Sequence, residues 1–179
     1  MLQGTHLILK EPSQQDYESL RKVNPSDEFY SMVGSDPDES VFLDNGAFEE
    51  SFKQSLAQEH FWYVYREAEL IGVAFLHSFD LVDKRARYAV GIYNEKDWNK
   101  GYGNEITQCV LRYAFEVLKL HKVELRVLEY NKRAIASYKK NGFVQEGVLR
   151  DNAFINNVWH NDILMGILNH EFQLDSNGF

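Results

Sequence analysis

Residues 98–105 read Trp-Asn-Lys-Gly-Tyr-Gly-Asn-Glu, between an apolar alternating stretch, "RARYAVGIY", and a long amphipathic one. A strand must become a helix within a few residues here, with two glycines and a lysine at the changeover. A helix N-terminus presents N–H groups without intrahelical partners and a partial positive charge. Leaving out side chains at Gly101 and Gly103 lets an anion approach those groups, and Lys100 adds charge. The stretch reads equally as a phosphate cradle or as a tight turn that merely needs glycine. Other phosphate loops fit badly. A dinucleotide fingerprint needs a third glycine where Ile106 stands, and a P-loop needs Lys-Ser/Thr where Asn104 and Glu105 stand.

The elements around this turn read in the order βααβββαβαββ. "HLILKEP" alternates like a short strand, and Ser13 with Asp16 opens a helix to about Val23. Residues 24–46, rich in Ser, Asp, Gly and Pro, read as loop with little regular structure. Phe48, Phe52 and Leu56 share one helical face. "FWYVYREAELIGVAFLHSF" is two strands around a turn near Glu67 and Ala68, and "RARYAVGIY" is a third. The long helix carries an apolar stripe of Ile106, Val110, Ala114, Val117 and Leu118. "KVELRVL" is a strand, and a helix follows with Asn131 at its start and Gly142 at its end. A hairpin through Asn156-Asn157 closes the chain, and the tail over 172–179 reads as loose. Hairpins imply antiparallel pairing, while the strands on either side of the long helix read as parallel. The expectation is one α+β domain over residues 1–179, with a mixed, mostly antiparallel sheet of about seven strands and about four helices.

Composition narrows the function classes. The chain has 179 residues, 44% hydrophobic, and a net charge of −8, which argues against nucleic acid as the main partner. Residues 24–60 hold nine acids opposed only by Lys53, so all of the excess negative charge sits there. That segment is either a solvated face or a surface that attracts a cation. No apolar run is long enough to span a membrane, and the N-terminal stretch lacks a basic-then-apolar leader. With a single cysteine, Cys109, the chain reads as cytoplasmic and free of internal disulfides. Cys109 lies mid-helix, where a buried inert thiol is expected rather than a nucleophile. No metal-ligand spacing appears among the six histidines.

The succession of strand, "WNKGYGNE", long helix, "KVELRVLEYNKRAIASYKKNGFVQEG" and hairpin resembles the GCN5-related N-acetyltransferase (GNAT) superfamily. Within it the chain is most similar to the branch of ribosomal-protein N-terminal and polyamine acetyltransferases. The family's Gln/Arg-x-x-Gly-x-Gly/Ala motif is met by residues 98–103, with Trp98 in place of Gln/Arg. Its Asn-x-x-Ala-x-x-x-Tyr-x-x-x-Gly-Phe pattern is met by Asn131, Ala134, Tyr138, Gly142 and Phe143. The resemblance covers residues 3–23 and about 62–172.

It implies splayed central strands, acetyl-coenzyme A as co-substrate, no metal, and transfer to an amine by direct attack on the thioester. The backbone of Lys100, Gly101, Tyr102, Gly103 and Asn104 would hold the pyrophosphate. Ile92 and Tyr93 would border the pantetheine arm, with a backbone N–H near Gly91 to Tyr93 meeting the oxyanion. Asn131 would bond the arm and Tyr138 would face the sulfur as the catalytic group; a phenol can donate a proton to a leaving thiolate. Many relatives carry a glutamate on the strand before the glycine loop, in "Ala-Glu-Ile-Gly"; here Ala89 replaces it. That loss also admits a module that keeps the coenzyme pocket for sensing alone. His77 and His160 are candidate groups at the acceptor site, as are Asp36, Asp38 and Glu39, since in this family the first inter-helix loop walls that site. The acceptor would be a small cationic amine, such as a polyamine or an aminoglycoside-like molecule, or a peptide N-terminus. An exposed sheet edge also offers a route to a homodimer. If the acidic segment draws in the acceptor, converting Asp36, Asp38 and Glu39 to amides should raise the acceptor KM and flatten its salt dependence in steady-state kinetics.

Overall fold

The computed structural model describes residues 1–35 and 45–173. Its strands are β1 (Leu2–Gln3), β2 (Ile8–Lys10), β3 (Phe61–Arg66), β4 (Glu69–Asp80), β5 (Arg85–Ile92), β6 (Lys122–Leu128), β7 (Val144–Ile155) and β8 (Val158–Leu168). They form one sheet in the order β1-β2-β3-β4-β5-β6-β8-β7. Only β5 and β6 pair parallel; every other neighbour is antiparallel. The helices are α1 (Tyr17–Arg21), α2 (Asp27–Val33), α3 (Asn45–Ala57), α4 (Tyr102–Arg112) and α5 (Lys132–Lys140). The expected fold class therefore holds, with one more strand and one more helix than the sequence suggested.

Alternation explains how one sheet carries two cores. On β3, Trp62 and Val64 point to one face, while Phe61, Tyr63 and Tyr65 point to the other. The first set joins Ile106, Val110, Leu125, Met165 and Ile167 under α4 and α5. The second joins Leu20, Phe48, Phe52 and Tyr93 under α1 and α3. A strand buried on both faces reads as a near-continuous apolar run, as "FWYVY" does.

Two local expectations are corrected. Residues 24–46 are not simply loop, because α2 lies inside them. Ser26 Oγ accepts a hydrogen bond from Phe29 N at 3.2 Å, and Gly34 ends the helix at φ +76°. Both signals stand in the sequence, hidden by the polar composition around them. The apolar stripe of the long helix also fails at its end, where Val117 is 63% exposed. Tyr113–Val117 form a wider π turn, with Leu118 N bonding Tyr113 O at 3.1 Å. The added residue in that turn rotates Val117 outward and seats Phe115 against the core instead. Asn156 and Asn157 both take positive φ at the hairpin tip, as expected.

Gly72 marks a close approach of two backbones. A Cβ there would sit 2.2 Å from Gly91 O, whereas one at Gly147 would meet only Leu164 Cδ1 at 3.8 Å. Gly72→Ala should therefore destabilise the protein by about 1–3 kcal/mol, and Gly147→Ala by no more than about 0.5 kcal/mol, in urea unfolding.

Candidate functional site

The parallel pair β5–β6 lasts only three residues. Arg85 faces Lys122, Ala86 faces Val123, and Arg87 faces Glu124. Beyond Arg87, β5 stays with β4 as far as Ile92↔Gly72, and β6 stays with β8 as far as Leu128↔Asp162. A gap opens between them. Tyr93 N–H donates to Ile71 O at 2.9 Å, on the β4 side. Backbone groups alternate along a strand, so the N–H and C=O of Ile92 turn the other way, into the gap. Trp98 Nε1 donates to Ile92 O at 2.9 Å, which leaves the Ile92 N–H facing the opening. Around this gap lies a cleft of about 770 Å³ that passes between the two halves of the sheet.

The glycine loop closes one end of the cleft. Gly101 caps α4 in the left-handed region, at φ +86°, a conformation costly for a residue with a Cβ. At Gly103 an added Cβ would meet nothing closer than Ser137 Oγ at 3.8 Å. The turn at residues 98–105 thus needs glycine for two reasons: conformation at Gly101, and open room over the helix end at Gly103. Glu105 N–H makes the first intrahelical bond, to Gly101 O at 3.0 Å, so the N–H groups of Tyr102 and Gly103 precede the ladder. Gly101, Gly103 and Asn104 line the cleft. The Arg133 guanidinium lies 3.4 Å from the Trp98 ring centroid, stacked on its face at the same end. Burial pulls the Arg133 pKa down from its ordinary value.

The loop is braced from below. Arg66 bonds both Asp97 and Glu69, and hydrogen-bonds Tyr102. Lys96 bonds Glu69 at 2.5 Å, and Lys100 Nζ lies 3.8 Å from Asp97 Oδ1. Asp97 itself is only 1% exposed. Lys100 and Tyr102 are therefore placed in the brace, beside the cleft rather than in its lining.

The opposite wall comes from α5 and α2. Asn131 Oδ1 accepts from Ala134 N at 3.1 Å and caps α5, while its Nδ2 donates to Met32 O at 3.2 Å. Tyr130 OH donates to Ser31 O at 2.6 Å, and Ser26 N donates to Tyr93 O at 3.0 Å. Three bonds thus clamp α2 over the gap, where Phe29, Met32 and Gly34 line it. A Cβ at Gly91 would stand 3.0 Å from the Phe29 ring, so glycine there admits the helix. Tyr138 lines the cleft two turns along from Asn131, with its ring edge-on to Tyr88 and Phe143. Burial pushes its phenol up to about 12. Among the described residues no protein group bonds its hydroxyl.

The other sequence candidates fall elsewhere. Tyr93 has its ring against Phe29 in the second core and its N–H on β4, away from the gap. His77 is half-buried beside Phe75 and bonds Ser78 Oγ at 2.9 Å; burial first, then Arg87 and Arg126, lower its pKa. His160 packs edge-on to Tyr130, outside the lining. Asp36, Asp38 and Glu39 lie outside the described residues. Cys109 is buried, and burial raises its thiol to about 11, as an inert core residue requires. No metal-holding cluster occurs among the described residues, and no helix there is long and apolar enough to cross a membrane. Sequence reasoning missed Arg133 on Trp98, and Arg126 as part of the lining. Both depend on residues more than twenty-five positions apart.

The chain is similar to known proteins in sequence and fold. A domain described as an acetyltransferase (GNAT) domain matches residues 6–144. The spermidine N(1)-acetyltransferase of Vibrio cholerae is 26% identical over 172 residues, covering 94% of this chain and 96% of that one. The probable N-acetyltransferase YjcK of Bacillus subtilis is 38% identical over 81 residues, 45% of each chain, so that match spans less than half of either. The crystal structure of the Vibrio cholerae spermidine N-acetyltransferase in complex with CoA and spermine superposes with a TM-score of 0.79 at 26% identity. That superposition covers 93% of this chain and 98% of the other.

The brace gives a measurable expectation. Arg66→Met would leave the buried Asp97 with Lys100 at 3.8 Å as its one ion-pair partner among the described residues. Because Arg66 is itself partly exposed, the loss should be about 1–3 kcal/mol in urea unfolding, less than for a fully buried pair.

Proposed function

The chain belongs to the acetyltransferase (GNAT) family, and we propose that its cleft takes acetyl-CoA in the gap between β5 and β6 and passes the acetyl group to a primary amine. The observation that carries this reading is the early parting of the parallel pair. It sets a backbone donor, a glycine-lined helix end and a buried phenol along one opening. The fit to the co-substrate is chemical. Phosphates suit the N–H groups of Tyr102 and Gly103, with Arg133 and Lys100 supplying charge nearby. An extended amide-bearing arm suits a gap whose strand edges have unspent backbone groups. The activated acetyl group enters as the thioester. Asn131 keeps one lone pair and one amide hydrogen beyond its two bonds, enough to meet the arm as well as cap α5.

The chemistry then follows from this chain's own groups. An amine attacking the thioester carbon places negative charge on the carbonyl oxygen, and the Ile92 N–H supplies a fixed donor for it. As the carbon–sulfur bond breaks, the Tyr138 hydroxyl meets the departing sulfur. A phenol at about 12 is a weaker acid than a thiol near 8.5 by roughly 3–4 pH units. Complete proton transfer to the thiolate is therefore uphill, and Tyr138 acts by donating a hydrogen bond, with the final proton coming from the spent ammonium or water. Ala89 leaves no carboxylate on β5 to act as base, so the amine must shed its proton to water or to a group across the gap.

The acceptor is a primary amine of a small molecule or of a peptide N-terminus. Two supports favour a small amine. One is the resemblance to enzymes named for spermidine. The other is the acidic segment, which attracts cations. Release of free CoA thiol from acetyl-CoA tests the reading, against spermidine, an aminoglycoside, and peptides with free Ser or Ala N-termini. Silence with every amine would refute it. Tyr138→Phe should lower kcat tenfold or more while changing CoA affinity less than about twofold, measured by turnover and by calorimetry. In wild type, kcat/KM should rise with pH through the acceptor's own amine pKa and then stay level to about pH 10. The reason is that Tyr138 keeps its proton until about 12.

A further inference from the structure

The sheet face opposite α4 and α5 carries a set of charges at the mouth of the gap that the acetyl-transfer reading leaves unused. His77 on β4 stands directly across from Arg87 on β5, and Arg87 across from Glu124 on β6. Directly paired residues share a face, and Arg126, two residues beyond Glu124, shares it too. The depressed His77 pKa reports the same nearness, since both arginines contribute to it. The acids beside this row are already engaged. Glu124 pairs with Lys122 at 3.0 Å, and Asp80 and Asp83 pair with Arg85 at 3.2 and 3.3 Å. Among the described residues, neither Arg87 nor Arg126 forms an ion pair or hydrogen bond through its guanidinium. Arg126 is exposed and lines the cleft.

An acid faces it on the same side. Arg126 pairs with Leu164, and Leu128 with Asp162, so Asp162 is the diagonal neighbour of Arg126. Diagonal neighbours stand roughly 7–8 Å apart, within reach of a side chain as long as arginine, yet no ion pair joins Arg126 to Asp162 in this structure. Asp162 lines the cleft and accepts a bond from Asn152 Nδ2 at 2.7 Å, but forms no ion pair among the described residues. Ala89, where the family's glutamate would stand, lines the same cleft and adds no charge there. A cation and an anion that have no ion-pair partner among the described residues, held on one sheet and lining one cleft, fit a ligand with both charges.

We propose that the acceptor amine carries a carboxylate, which Arg126 binds with Arg87 reinforcing its field, while Asp162 receives the ammonium. The proposal rests on the acetyl-transfer reading and narrows its substrate class. An extended polyamine would instead place a second ammonium against Arg126, which is unfavourable. The carboxylate has two sources, a free amino acid or an acidic side chain near a peptide N-terminus.

The test uses matched acceptors in the thiol-release assay. Alanine is compared with alaninamide, and the dipeptide amide Ser-Asp with Ser-Asn. Wild type should favour the carboxylate member of one pair by on the order of 10- to 100-fold in kcat/KM, and the pair that shows it identifies the source. Arg126→Gln should bring that ratio close to one, and Arg126→Lys should restore part of it. Equal rates within both pairs, or a ratio that survives Arg126→Gln, would overturn the proposal, as would spermidine outpacing all of them. If no amine reacts, calorimetry of the CoA-loaded protein with N-acetylalanine and N-acetylalaninamide separates the two ideas. An Arg126-dependent preference there keeps the carboxylate site and discards acetyl transfer; no preference discards the site.

Discussion

Everything at the cleft depends on β5 and β6 separating after three parallel pairs. A parted pair exposes backbone groups that a sheet would otherwise satisfy, and such groups are costly to bury without partners. The fold answers part of this need itself. Trp98 takes the carbonyl of Ile92, and α2 is clamped across the opening by Tyr130, Asn131 and Ser26. The Ile92 N–H remains available for a ligand. The two half-sheets stay in place because β4 holds β5, β8 holds β6, and each half has a packed core beneath it.

The glycine loop shows how rigidity is placed where chemistry needs it. A helix end binds anions only if its N–H groups keep their directions, and a loop alone would not ensure that. Here a buried carboxylate, Asp97, is held by Arg66, which also reaches Glu69 and Tyr102. The charges of the loop are thus tied to β3 and β4 rather than to solvent. Arg133 stacked on Trp98 adds a cation whose position is set by an aromatic face.

Tyr138 and the arginines divide the opening into two environments. The phenol lies in a dry wall, where burial raises its pKa and keeps it protonated at neutral pH. That makes it a steady hydrogen-bond donor and a poor proton source. On the other side of the sheet, Arg126 is exposed while Arg87 and Asp162 are half-buried, and the proposed carboxylate site would use their field and direct contact. The proposed acceptor, bearing both signs, would suit the acidic segment as well as this cationic row.

The order of elements, the parallel pair around the long helix, the hairpin at Asn156-Asn157 and the glycine loop were legible in the chain, because each is set by local pattern: alternation, helical spacing, caps and turn residues. Helix α2 was equally local, through Ser26 and Gly34, and was hidden by the polar composition around it. Asn131 and Tyr138 could be placed on one face of α5 from their spacing alone. What only the tertiary structure decided joins residues distant in sequence. Arg133 lies on Trp98, Arg66 holds Asp97, Tyr93 turns to β4 while Ile92 turns to the gap, and Arg126 stands diagonal to Asp162. Local pattern determines which elements form and which faces are apolar, because those choices are made by neighbouring residues. The meeting of charges across the gap is decided by strand register and helix docking, which depend on the whole packed sheet.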